Sequence, residues 1–121
     1  MTDNNKLESF LHKQIEYWNA SDKKGFMDCY KAIATMGLSI EYIGLPKPDD
    51  SWQALEHMWN TTQDSIRIEL VDCIATNNEA SCYHINRKLD GTISTRTIET
   101  YRLDSGVLTA RYYIGAGATD T

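Results

Sequence analysis

The chain has 121 residues, 41% of them hydrophobic and 24% charged, a balance that suits one globular domain with a core of its own. A formal net charge of −5, with no run of Lys or Arg longer than Lys23-Lys24, excludes the basic stripe that nucleic acid requires. No apolar run approaches the roughly 20 residues of a membrane helix, and the polar start Met1-Thr2-Asp3-Asn4-Asn5 has no secretory pattern, so a cytoplasmic protein without membrane partners is expected.

Leu7, Leu11, Gln14, Ile15 and Trp18 recur at helical spacing and predict a first helix with Thr2 or Asp3 as its cap. Asn19-Ala20-Ser21-Asp22 predicts a turn whose Ser or Asp caps a second helix, which carries Phe26, Met27, Cys29, Tyr30 and Ile33. Gly37 fits the stop of that helix. Residues 38–43 alternate as a short strand, and Gly44-Leu45-Pro46-Lys47-Pro48 reads as a loop. Asp50 or Ser51 then caps a third helix bearing Trp52, Leu55, Met58 and Trp59.

Beyond Ile66 the period changes to two. Ile66, Ile68 and Leu70 alternate, and the phase slips near Asp72 as at a bulge. Asn77-Asn78, Asp90-Gly91 and Ser105-Gly106 read as hairpin turns separating strands over 79–89, 92–104 and 107–115. Four strands joined by hairpins form an antiparallel meander, and the three helices are available to cover its apolar face. The fold class is therefore α+β, one domain over 1–121, ordered over about 7–115, with a loose tail over 116–121.

Cys73 and Cys82 flank the Asn77-Asn78 turn almost symmetrically and are placed to face each other, although thiols are expected in a reducing cytoplasm. Neither the three cysteines nor the three histidines show metal-ligand spacing, and no Gly-rich phosphate loop occurs, so no metal or cofactor is expected.

The order of elements, together with three segments, resembles the nuclear transport factor 2-like superfamily in its SnoaL-like, ketosteroid isomerase-like branch. Trp18-Asn19-Ala20-Ser21-Asp22 is similar to the family's W-N-A-G-D turn, Trp52 to Trp59 to its third helix, and Ile98-Glu99-Thr100-Tyr101-Arg102-Leu103 to its V/I-D-x-F-R-F strand. The resemblance implies a cone-shaped α+β barrel with a central pocket for a small, apolar, polyketide-like or steroid-like molecule. It also implies a homodimer formed through the outer sheet face. A shared fold hosts many activities, so chemistry has to be argued from residues.

Glu99 shares strand parity with Tyr101 and Leu103, and a carboxyl turned inward with them would be desolvated, which favours proton donation. The resemblance puts a hydrogen-bond-donating Asp at the position of Glu99. It puts the proton-abstracting Asp at Tyr42, with Glu41 on the opposite face, and a hydrogen-bonding Tyr at Gln14. Two of the three isomerase groups are thus changed. Epoxide hydrolase chemistry also lacks its pattern, because Thr97 stands where that cluster has Arg. His84 shares parity with Cys82 and Asn86, and either face of its strand is apolar enough to be the inner one. A pocket imidazole would serve as a base.

Glu99, Tyr42 and His84 are the candidate acid–base residues, while Gln14, Trp18, Tyr30, Met58, Trp59, Tyr101 and Tyr113 are candidates to line a small-molecule pocket. Cofactor-independent isomerase, cyclase or dehydratase chemistry is the first reading. A non-catalytic ligand-binding or dimerisation module is the second, and a recruitment domain using the outer sheet face is the third.

Overall fold

A computed structural model describes residues 3–116. The cap expected at Thr2 and residues 117–121 of the expected tail lie outside them, while Ala116 ends the last strand. The elements run α1 (Asp3–Asn19), α2 (Lys23–Ile33), β1 (Gly37–Tyr42), α3 (Ser51–Thr62), β2 (Ile66–Thr76), β3 (Glu79–Lys88), β4 (Ile93–Asp104) and β5 (Val107–Ala116). This is the expected α+β architecture, three helices packed on a curled five-stranded sheet. No helix among the described residues is long and apolar enough to cross a membrane.

The strand order is β1-β5-β4-β3-β2. β2 to β5 form the expected antiparallel meander, and β1 joins the open edge by parallel pairing, Gly37 with Val107 through Tyr42 with Tyr112. The phase slip near Asp72 is a register shift between Leu70 and Asp72, which leaves Val71 unpaired and bends β2 over the helices.

The apolar stripe of α1 is buried from Leu7 through Leu11 and Ile15 to Trp18, with Phe10 on the same face. The turn after α1 is built from polar side chains, each with a structural task. Trp18 Nε1 donates to the Ile66 carbonyl at 3.0 Å. Asn19 mimics a neighbouring strand, donating to the Ile68 carbonyl at 2.8 Å and accepting from the Ile68 amide at 2.9 Å. Ser21 takes the left-handed φ of 58° and accepts from Gln63 Nε2 at 2.9 Å, and Asp22 caps α2 by accepting from the Gly25 amide at 2.9 Å. The segment thus ties the end of α1 to the start of β2.

α2 stops at Ile33, earlier than Gly37 suggests, because the Ala34 amide closes its last turn on the Tyr30 carbonyl. Gly37 opens β1 instead. Asp50 caps α3, accepting from the amides of Trp52 and Gln53. Ser51 turns inward and accepts from the Ile40 amide at 2.8 Å, joining α3 to β1. Asp50→Ala is expected to cost about 1 kcal/mol in urea unfolding, with Asp50→Ser recovering most of it. An unchanged midpoint for the alanine variant would remove the cap from the account.

Candidate functional site

A cavity of about 580 Å³ lies between the inner sheet face and the helices. Trp18, Phe26, Met58, Ile66 and Ile68 give it apolar walls, and its mouth is rimmed by Leu45, Pro48, His57 and Ile114. Polar groups collect on the sheet floor. Parity brings His84 and Asn86 of β3, Thr95, Thr97 and Glu99 of β4, and Tyr112 of β5 into the same space.

The floor is wired as a directed chain of hydrogen bonds. The Tyr30 hydroxyl donates to Gln14 Oε1 at 2.6 Å, and Gln14 Nε2 donates to the Tyr101 hydroxyl at 3.1 Å. The Tyr101 hydroxyl in turn donates to Glu99 Oε1. Glu99 Oε2 lies 3.0 Å from His84 Nδ1. A carboxylate at the end of such a chain is an acceptor at both oxygens, which places the imidazole proton on Nδ1. His84 is 1% exposed, and its Nε2 is buried with no hydrogen-bond partner among the described residues. That atom is the open end of the chain.

Asn86 makes a separate polar cluster, donating to Thr95 Oγ1 at 2.9 Å and Thr97 Oγ1 at 2.7 Å. Across the sheet, the Tyr42 ring packs on Tyr112 at 5.2 Å, and the Tyr42 hydroxyl has only a weak contact with Met58 Sδ at 3.9 Å. It is therefore available to the cavity that it lines.

No family model matches this sequence, and no curated protein matches it either. Solved structures do. A protein named for SnoaL-like polyketide cyclases, from Jannaschia sp. CCS1, superposes with a TM-score of 0.71 at 10% identity, over 91% of this chain and 85% of that one. A nuclear transport factor 2-like protein of unknown function from Mesorhizobium loti gives 0.64 at 16% identity, over 96% of each chain. The fold is nuclear transport factor 2-like. A computationally designed 17-OHP binder also has this shape, with a TM-score of 0.65 at 19% identity over 89% of each chain. At such identities the likeness is one of fold, and the residues must speak for the chemistry.

Within this nuclear transport factor 2-like fold, Glu99, Tyr42, His84, Gln14, Trp18, Tyr30 and Met58 all line the cavity. Three residues expected there do not. Trp59 packs behind the wall, on Trp18 at 5.2 Å and Phe26 at 5.0 Å. Tyr101 is buried beneath the floor and touches the site only through its hydroxyl. Tyr113 points outward, 40% exposed beneath the Arg111 guanidinium, because the inward residues of β5 are Leu108, Ala110 and Tyr112. The pocket tyrosine of that strand is Tyr112, one residue earlier. Glu41 also faces outward and pairs with Arg111 at 3.2 Å.

Burial pushes the phenols of Tyr30, Tyr101 and Tyr112 well above the usual tyrosine value of 10.0. Neighbouring charge adds to this, from Glu99 for Tyr101 and Tyr112 and from Tyr112 and then Glu99 for Tyr30. Tyr42 is raised by burial first and by Glu99 second. All four are donors at neutral pH, which removes Tyr42 from consideration as a base. For the three buried phenols, the neutral form is favoured in the folded state. The stability linked to this is fully present below pH 10.0 and is lost as the pH rises through their raised folded values. Alkaline titration is expected to show their phenolate absorbance only with unfolding. Full ionisation of all seven tyrosines at the ordinary value, with near-ultraviolet dichroism intact, would contradict the network. Among the described residues no cluster of His, Cys, Asp or Glu is arranged to hold a metal ion.

Proposed function

We propose that the cavity binds a small, largely apolar molecule bearing a carbonyl or hydroxyl group, and that His84 and Tyr42 perform cofactor-independent acid–base chemistry on it. The reading rests on His84 Nε2, a buried and unpartnered nitrogen on a residue that lines the cavity. A buried polar atom without a partner costs about 1–3 kcal/mol, and a ligand that donates to it, or yields a proton to it, relieves that cost.

In the proposed step Nε2 takes a proton from carbon adjacent to a carbonyl or from a hydroxyl. Glu99 keeps the imidazole in the required tautomer and balances the imidazolium as it forms, so its role is to orient rather than to donate. The Tyr42 hydroxyl donates to the oxygen that gains charge. Proton return at a second atom gives isomerisation, and loss of a leaving group gives a dehydratase or cyclase outcome. The aromatic walls fit an apolar framework of ring-system size, and the likeness to a designed 17-OHP binder supports the same size class. Homodimerisation is proposed through the outer sheet face, where Ile98 and Tyr113 are exposed.

A panel of apolar ketones and hydroxylated ring compounds, followed by tryptophan fluorescence, to which Trp18 in the cavity wall contributes, tests the reading. Saturable quenching with turnover, and loss of turnover but not of binding in His84→Gln, is the expected result. Binding without turnover in the unaltered protein leaves the alternative, a ligand-binding module. That alternative is favoured by the two isomerase positions occupied by Gln14 and Tyr42. Absence of binding across the panel, with the cavity walls intact, would sink both.

A further inference from the structure

The β2–β3 hairpin carries a pair of thiols that the cavity chemistry does not use. Cys73 and Cys82 are register partners across the Asn77-Asn78 turn, with sulfur atoms 2.7 Å apart, one thiol donating to the other. Cys82 is 2% exposed, on the inner side with Ala80 and His84, whereas Cys73 is only half-buried and open to a reagent. Directly opposed antiparallel residues have Cα atoms about 4.5–5.5 Å apart, within the span of roughly 4.4–6.8 Å that a disulfide bridges. The backbone already holds the two residues where such a bond needs them.

We propose that Cys73 and Cys82 form a redox pair that closes into a cross-strand disulfide when a low-molecular-weight disulfide such as oxidised glutathione is present. The Cys73 thiolate, the accessible one, attacks a sulfur of the reagent and releases one glutathione thiolate. Cys82 then gives up its proton and attacks Cys73 Sγ, displacing the second glutathione. The protein loses two hydrogens and two electrons, and two reduced glutathiones carry them. Burial raises the thiols of both Cys73 and Cys82, so the exchange quickens with rising pH. Cys29 is a bystander on α2: it donates to the Phe26 carbonyl at 3.0 Å, and burial pushes its thiol up to about 12. Because Cys82 is also the register partner of Glu99, closure pins the strand that carries His84.

The test treats the full chain with oxidised glutathione, blocks remaining thiols with an alkylating reagent and reads intact and peptide masses. The expected product is lighter than the reduced protein by about 2 Da before blocking, links peptides 73 and 82, and is alkylated only at Cys29. Its melting temperature should rise by roughly 5–10 °C and return on reduction. Cys73→Ser should show neither the mass loss nor the rise. A stable glutathione adduct at Cys73 beside a free Cys82, a bond to Cys29 or between chains, or a lowered melting temperature would each overturn the proposal.

Discussion

Glu99→Gln is expected to reverse the hydrogen-bonding sense of His84 while leaving the fold in place. Gln14 Nε2 already donates to the Tyr101 oxygen, so Tyr101 keeps its own donation when the carbonyl of the new side chain faces it. Its amide then faces His84 Nδ1, which can accept an N–H only with its lone pair. The imidazole proton moves to Nε2, and the acceptor proposed to meet the ligand becomes a donor. Proton abstraction by His84 should fall by about 10²–10⁴-fold, the usual worth of a general base. Nitrogen chemical shifts of the imidazole report the tautomer directly. If Nε2 remains unprotonated in this variant, the direction assigned to the chain is wrong. Glu99→Leu is a harsher change, stranding both the Tyr101 hydroxyl and His84 Nδ1, and should cost about 2–5 kcal/mol of stability.

Trp18→Ala should be among the most damaging single changes to the fold, at about 3–5 kcal/mol. Its indole is 2% exposed, packs on Phe26 at 5.5 Å and Trp59 at 5.2 Å, and holds the Ile66 carbonyl where β2 begins. Truncation therefore opens a void, removes a wall of the cavity and leaves a backbone acceptor without its donor. Trp18→Phe keeps much of the packing and loses the hydrogen bond, so the difference between the two variants separates the contributions. Chemical denaturation measures both. A loss below about 1 kcal/mol for the alanine variant would mean that the neighbouring rings collapse into the gap.

The periodicities were sufficient for the architecture because each is a local property. The α1 stripe, the bulge near Asp72 and the three hairpin turns are each written within a dozen residues. The parallel pairing of β1 with β5 is not, since nothing in residues 37–42 names a partner some seventy positions away. The site divides in the same way. Glu99 was legible from its parity with Tyr101 and Leu103, two residues whose burial was easy to anticipate. His84 was ambiguous because Tyr83 and Ile85 make the other face of β3 equally apolar, and only the sheet's curl resolves it. The run Tyr112-Tyr113-Ile114 by itself does not separate the two tyrosines, although Thr109 and Arg111, which share the parity of Tyr113, mark the outer side. The parity of Leu108 and Ala110 was the available signal. Asn86, Thr95 and Thr97 are single amides and hydroxyls, which carry little weight until the strands are in register.

The edge pairing of β1 also dictates when the site can exist. Tyr42 is held by Tyr112, and Tyr112 in turn sits beside Glu99, so the floor is assembled from strands that span most of the chain. During synthesis α1, α2 and β1 emerge long before β5, and β1 then waits without a partner strand while the meander is made. Long-range pairings of this kind form late, because their loop entropy must be overcome before they are rewarded. A nascent chain halted before β5 would hold His84 and Glu99 yet lack Tyr112 and the anchored Tyr42. Occupancy of the cavity would then report synthesis and folding through β5, and a ligand added to cells should protect from proteolysis only molecules in which β5 is in place.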